Sequence, residues 1–190
     1  MQGAAVGCAR LAAAYNRAMN APRFLLALLC LLMAGPARAD YIPEPAMAPE
    51  PVDRLELRKS KRSLTLYRNE KPIRTYRVSL GGNPQGHKER EGDSRTPEGR
   101  YRLTFRNMQS RFFLSIQVDY PNALDRAWAR RHGWDPGGEI MIHGLPNEPL
   151  LSRERYLEID WTDGCIAVSN EAMLEIWRLT RENTEIMILP

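Results

Sequence analysis

The sequence has little cysteine, and two of its three cysteines lie near the N-terminus. Cys8 and Cys30 belong to residues 1–39, a stretch that also contains no acidic residue, which leaves Cys165 alone in the rest of the chain. A disulfide framework is therefore excluded. Long apolar runs are missing as well, because the run at residues 24–34 is about half of the roughly 20 residues that a membrane-spanning helix needs.

The charge of the chain is balanced outside that N-terminal stretch. Residues 1–39 hold four of the 27 Lys and Arg residues, so the other 23 match the 23 Asp and Glu residues. The net charge of +4 therefore comes entirely from residues 1–39. The rest of the chain has no basic excess that would favour nucleic acid or an acidic lipid surface, and neither partner is expected. What remains is about 150 residues, the size of one ordinary domain.

Residues 1–39 show the order of features of a secretory signal peptide. Arg23 precedes the apolar run, and Ala37-Arg38-Ala39 puts small residues at the two positions that a signal peptidase reads. We predict cleavage after Ala39 and export, with Met19 as an alternative start of the chain. An uncleaved anchor is the other interpretation. The proline-rich residues 40–52 predict an extended linker, and residues 53–190 follow as one domain.

The apolar pattern of that domain favours strands. Four leucines alternate with polar residues and are separated by short polar turns, which predicts a meander with one buried face: Leu55, Leu57, Leu64 and Leu66. Later strands are expected at 100–105, 112–118, 139–143 and 185–189. Two short helices are expected, at residues 122–131 and after Ser169, so the predicted class is mainly β with two short helices.

Residues 81–99 interrupt the strand pattern with five glycines and two prolines. Long ordered loops in compact domains are usually functional, so we expect this segment to lie near a site. His87 belongs to it, either as an ordinary loop histidine or as part of a substrate cleft.

The residues that suggest chemistry are His143 and Cys165. Each adjoins a predicted strand, and each has a glycine beside it, in His143-Gly144 and Gly164-Cys165. A cysteine nucleophile needs a neighbour that takes its proton, because the thiolate is the attacking form. It also needs backbone N–H groups directed at the developing oxyanion, for which Gly164 and Cys165 are candidates. An activated thiol would be alkylated well below about pH 8.5, whereas a buried inert cysteine, the alternative, would resist.

Two other kinds of site are not indicated. No two of the three histidines and Cys165 stand at the close spacing typical of zinc ligands. The Gly-x-Ser-x-Gly element of serine hydrolases does not occur in the sequence. Neither a metal nor another cofactor is expected.

Two elements of the sequence resemble the signature of the L,D-transpeptidase (YkuD-type) catalytic domain. Ile142-His143-Gly144, followed by Thr162-Asp163-Gly164-Cys165-Ile166, is similar to the family's His-Gly element and its Ser/Thr-His-Gly-Cys motif. Arg95-Thr96-Pro97-Glu98-Gly99 resembles the family's Thr-Pro-x-Gly stretch. The resemblance covers about residues 53–189 and implies an L,D-transpeptidase-type β-sandwich with two short helices.

This resemblance implies a periplasmic cysteine acyltransferase of cell-wall biogenesis. In such an enzyme Cys165 attacks the L-to-D peptide bond of a peptidoglycan tetrapeptide stem, His143 is the general base, and D-alanine leaves. The amine of a second stem, or of an outer-membrane lipoprotein, then resolves the acyl-enzyme. A hydrolase of peptidoglycan or of peptidoglycan–lipoprotein links with the same nucleophile is the alternative, and a silent peptidoglycan-binding module is a third interpretation.

Two positions depart from the family pattern, and the sequence looks most like a proteobacterial subgroup with Thr-Asp-Gly-Cys. Asp163 stands where the family usually has histidine, and Ala167 where it often has an arginine that could pair with a substrate carboxylate. Asp163 either holds the loop or binds a substrate amine. Gly144 is grouped with Gly164 and Asp163 as an oxyanion-hole or substrate-binding candidate, and it is expected to allow close packing beside the histidine. Trp128 and Trp134 are expected to border the cleft.

Overall fold

The computed structural model describes residues 49–190, so the predicted signal peptide and most of the predicted linker lie outside it. The elements are β1 (Arg54–Arg58), β2 (Ser63–Arg68), β3 (Lys71–Arg77), β4 (Gly99–Asn107), β5 (Ser115–Val118), α1 (Ala123–His132), β6 (Met141–His143), α2 (Arg153–Glu158), β7 (Ile166–Ala167), α3 (Asn170–Leu179) and β8 (Glu185–Leu189). The predicted mainly β class is confirmed. No helix within the described residues is both long and apolar enough to cross a membrane.

The helices begin at capping side chains. Asn122 caps α1, and Ser169 caps α3, as their preference for this position suggests. The expectation of two helices was wrong by one, because α2 starts from a Ser152 cap in a segment for which the sequence predicts no helix. This helix has six residues and buries only Tyr156, so it shows no apolar periodicity.

The eight strands form one sheet in the order β3-β2-β1-β8-β4-β5-β6-β7. Strand β4 is shared by two halves, since its residues 99–102 pair with β8 and its later residues pair with β5. One apolar cluster contains residues from both halves, among them Leu55, Leu66, Ile116 and Ile142. The two halves therefore cover a common core, as in a sandwich.

The two edges of this sheet are joined through Ser79. Its backbone N–H donates to the Ala167 carbonyl oxygen, and the Ala167 N–H donates back to Ser79, both at 2.9 Å. A further bridge joins Gly81 to Thr162. The join places the start of the glycine-rich loop, defined here as residues 81–98, beside the turn that leads into β7.

Buried lysines hold the glycine-rich loop. Lys59 is 2% exposed and donates to the Thr96 carbonyl oxygen at 3.0 Å and to Glu98 at 2.8 Å. Lys88 is 3% exposed and donates to Asp93 at 2.9 Å. Ion pairs and backbone bonds, rather than an apolar stripe, order this segment. Its course could therefore not be derived from periodicity.

Candidate active site

The structure brings His143 and Cys165 into one cleft. Strand β6 ends at His143 and runs parallel to β7, with His143 opposite Ala167 in the register. Both side chains line a cleft of about 820 Å³. Parallel pairing of two short strands thus brings together the two residues that the sequence marked as candidates.

The imidazole of His143 is held in one orientation by its neighbour. Its Nδ1 lies 2.7 Å from the carbonyl oxygen of Gly144. A carbonyl oxygen can only accept, so Nδ1 carries the proton and Nε2 is left with a free lone pair. His143 is therefore in the tautomer that a general base requires.

Aromatic rings enclose this histidine. The ring centroid of Phe112 lies 4.6 Å from that of His143, and the ring of Trp161 lies 5.7 Å away. His143 is 3% exposed, and this burial lowers its pKa to about 4. The imidazole is accordingly neutral at pH 7.

The thiol of Cys165 lies against backbone groups of the segment leading into β6. Its Sγ is 3.5 Å from the Glu139 carbonyl oxygen. Burial raises the pKa of the Cys165 thiol, a backbone hydrogen bond from Met141 opposes this, and the charge of Asp163 adds to the rise. The expectation of a thiol alkylated well below its ordinary pKa is therefore not supported in the free protein.

Thiol and imidazole are thus both neutral before substrate binds. A sulfur nucleophile in this state is activated when the imidazole accepts the thiol proton during attack, rather than by a preformed ion pair.

Gly164 sets the shape of the turn before the nucleophile. Its φ is +127°, and a Cβ at this position would lie 2.5 Å from the Arg95 carbonyl oxygen. Its N–H donates to Thr162 Oγ1 at 3.2 Å, and that hydroxyl donates to the Cys165 carbonyl oxygen at 2.8 Å. An oxyanion role for Gly164 stays a prediction that requires the first of these bonds to break. The Cys165 N–H has no hydrogen bond within residues 49–190 and is the freer donor.

Substituting Gly164 by alanine is expected to reduce activity at least about 100-fold and stability by about 1–3 kcal/mol, because both the φ and the contact with Arg95 exclude a side chain. Thermal unfolding and a stem-peptide assay would measure both effects. Gly82→Ala is the matched control, since a Cβ there would meet nothing within 4 Å. Equal effects of the two variants would contradict this interpretation.

Gly144 has the packing role that the sequence indicated. A Cβ at this position would lie 2.6 Å from Asn170 Oδ1 and 2.9 Å from the Cβ of Phe113. Only glycine fits there, and its carbonyl oxygen also fixes the His143 tautomer.

Asp163 is exposed and lines the cleft. Its carboxylate makes no hydrogen bond or ion pair with another residue in the part of the chain that the structure describes. The loop-holding role is therefore without support, and binding of a substrate amine stays the working hypothesis for this residue.

Several aromatic and histidine residues lie elsewhere than at the edge of the catalytic cleft where the sequence could place them. Trp128 and Trp134 do not line the catalytic cleft but lie around His132, at centroid distances of 4.4 and 4.8 Å. His87 lines a separate groove beside Trp128 and locks the glycine-rich loop through Asp125, with its Nε2 3.2 Å from Asp125 Oδ1. Trp161 does line the catalytic cleft.

Sequence reasoning missed several cleft residues. The reacting groups are contacted by the ring of Phe112 and by backbone atoms of Glu139 and Met141. Such contacts do not depend on a chemically reactive side chain, so the residue types gave no indication of them. Lys88 carries no signal in the sequence but is buried in the cleft wall. Among residues 49–190 no group of three or more His, Cys, Asp and Glu side chains could hold a metal ion.

The sequence of the domain is matched by a known family. The sequence model of the YkuD L,D-transpeptidase catalytic domain matches residues 53–188. The chain therefore belongs to the L,D-transpeptidase catalytic domain family.

Relatives of known name agree with this assignment. The chain is 29% identical over 130 residues to YafK of Escherichia coli strain K12, provisionally named an L,D-transpeptidase, and the match covers 65% of this chain and 45% of YafK. The chain thus spans less than half the length of the curated relatives it matches.

Solved structures share the fold. The helical cell shape determining protein Pgp2 of Campylobacter jejuni is 25% identical with a TM-score of 0.56, over 74% of this chain and 48% of Pgp2. Bd1075 of Bdellovibrio bacteriovorus is 23% identical with a TM-score of 0.52, over the same shares of the two chains.

Proposed function

We propose that this protein is an exported cysteine acyltransferase that acts on the tetrapeptide stems of peptidoglycan. The observation that supports this most is the placement of Cys165 and His143 in one cleft, with the histidine Nε2 left free by the Nδ1–Gly144 bond. Membership of the family supplies the substrate class.

The acylation step follows from the neutral thiol and imidazole. The sulfur of Cys165 attacks the carbonyl carbon of the bond between meso-diaminopimelate and D-alanine, while its proton passes to His143 Nε2. The carbonyl oxygen becomes an oxyanion, toward which the free Cys165 N–H is a suitable donor. The intermediate then collapses, the C–N bond breaks, and His143 returns the proton to the amine of departing D-alanine. A thioester on Cys165 remains.

The acceptor decides the product. The side-chain amine of a second stem would give a 3-3 cross-link, and the amine of a lipoprotein would give an anchored protein. Water would give a trimmed stem, so hydrolysis is the second outcome of the same acyl-enzyme. The unpaired carboxylate of Asp163 in the cleft favours an amine, because an ammonium group attracted there is held near the thioester.

Mass spectrometry of disaccharide-tetrapeptide stems incubated with the protein tests this proposal. Cross-linked dimers that have lost one D-alanine are expected. Trimmed monomers alone would establish the hydrolase, and unchanged stems would leave a lipoprotein-linked substrate or a silent binding module.

Asp163→Asn is expected to lower the ratio of dimer to trimmed monomer at least about threefold, because the acceptor amine loses its counter-charge, whereas the attack of water on the thioester needs none. Glu148→Gln is the matched control, an acidic side chain outside the residues that line the cleft. An unchanged ratio in Asp163→Asn would remove the acceptor role.

A periplasmic location belongs to the same proposal. The signal-peptide features of residues 1–39 support it, and peptidoglycan is met only after export. Processing after Ala39, read as the N-terminal sequence of the mature protein, is the expected result.

A further inference from the structure

Lys88 is a buried cation in the wall of the catalytic cleft. The residue is 3% exposed, yet it lines the same cleft as His143 and Cys165. Its charge acts on Cys165, whose pKa it lowers against the stronger effect of burial. Lysine is almost never buried unless it is paired, and Lys88 pairs with Asp93, so a buried ion pair forms part of the cleft wall.

The ammonium group of Lys88 is held by two hydrogen bonds, which leaves one of its protons without an acceptor among residues 49–190. Two of its three protons are directed to Asp93 Oδ1 at 2.9 Å and to the Arg90 carbonyl oxygen at 3.1 Å. The Asp93 carboxylate also accepts the backbone N–H groups of Glu89, Arg90 and Arg95. Because those N–H dipoles compensate part of the negative charge of Asp93, the Lys88–Asp93 pair still attracts a further anion. The third ammonium proton of Lys88 is available to that anion.

Peptide geometry indicates which anion of the substrate comes near Lys88. Successive residues of an extended chain are about 3.5 Å apart, so the carboxylate of a last residue lies one residue from the attacked carbonyl carbon. Its counter-charge must therefore lie close to Cys165. Arg111 also lines the cleft, but it is exposed, and an exposed cation binds a carboxylate only weakly.

We propose that Lys88 binds the C-terminal carboxylate of the donor stem and so restricts cleavage to the last peptide bond of the stem. The inference rests on the proposed function and adds a specificity-determining residue to it. Lys88 supplies a positive charge in the cleft. The residue at position 167, where the family often has arginine, is alanine and supplies none.

Calorimetry in the Cys165→Ala background tests this without turnover. The two ligands are the stem tetrapeptide ending in D-alanine and the same peptide ending in D-alanine amide. The acid is expected to bind at least about tenfold more tightly, as for a hydrogen bond to a charged group in a buried site. In Lys88→Met/Asp93→Asn, which removes both charges together, the two peptides are expected to bind within about twofold of each other.

Lys59→Met/Glu98→Gln is the matched control. It removes the other buried lysine–carboxylate pair of the glycine-rich loop, at a position outside the cleft lining, and should keep the preference for the acid. Equal binding of acid and amide before any change at Lys88 would overturn the inference while leaving the proposed function standing. So would a preference that survives in Lys88→Met/Asp93→Asn or disappears in the control. Binding of neither peptide would overturn both proposals.

Discussion

Replacing Cys165 with alanine is expected to lower the release of D-alanine from tetrapeptide stems by about 10⁴-fold or more, because the variant loses the thiol that carries the acyl group. The free energy of unfolding should change by less than about 1 kcal/mol, since the thiol makes only weak backbone contacts, a 3.5 Å contact with the Glu139 carbonyl oxygen and one with the Met141 N–H. A D-alanine assay and thermal unfolding would measure the two quantities.

The chain offers its own control for this variant. Cys30→Ala changes a cysteine of the predicted signal peptide and is expected to leave the activity of the mature protein unchanged. More than about a tenth of the original activity in Cys165→Ala would contradict the assignment of the nucleophile.

Replacing His143 with glutamine is expected to lower the rate by about 10²- to 10⁴-fold, the usual contribution of a general base. The pH dependence separates this role from a structural one. Burial lowers the pKa of His143 to about 4, so the imidazole accepts a proton at all pH values above that, and the wild-type rate should fall only as the pH drops through about 4. In the variant the thiol must ionise unaided, and the rate should rise about tenfold per pH unit up to the raised pKa of Cys165.

His132→Gln is the matched control for that experiment, because His132 is exposed and lies between two tryptophans away from the cleft. The wild-type pH profile should be retained in it. A His143→Gln protein with the wild-type profile and rate would show that another group takes the thiol proton.

The lowered pKa of His143 also affects stability. The unfolded chain binds a proton at the histidine near pH 6.5, whereas the folded chain binds it only near pH 4. The contribution of neutral His143 is therefore present above pH 6.5 and is lost as the pH falls toward 4.

The strands were the most predictable part of the fold. Leu55, Leu57, Leu64 and Leu66 all have 0% exposure in the structure, and their alternation marked β1 and β2 directly. The join between Ser79 and Ala167 was not predictable, because backbone hydrogen bonds between distant residues leave no pattern of side chains. Helix α2 was not predictable for a related reason, since a helix of six residues with one buried side chain shows no apolar period.

The candidate site was predictable as far as side-chain chemistry defines it. His143 and Cys165 were marked by residue type and adjacent glycines, and the parallel pairing of β6 and β7 does place them in one cleft. Lys88 was not predictable, because a lysine in a polar loop normally faces solvent and only the fold buries this one. The surroundings of Asp163 could be judged only once its lack of a partner within residues 49–190 was seen.

The central claim is a covalent acyl-enzyme on Cys165. The most direct measurement is mass spectrometry of the protein, quenched with acid during turnover of tetrapeptide stems and then digested. The expected result is a peptide containing Cys165 that carries the stem minus D-alanine, absent from Cys165→Ala. Product formation with an unmodified Cys165, or an adduct on another residue, would contradict the mechanism.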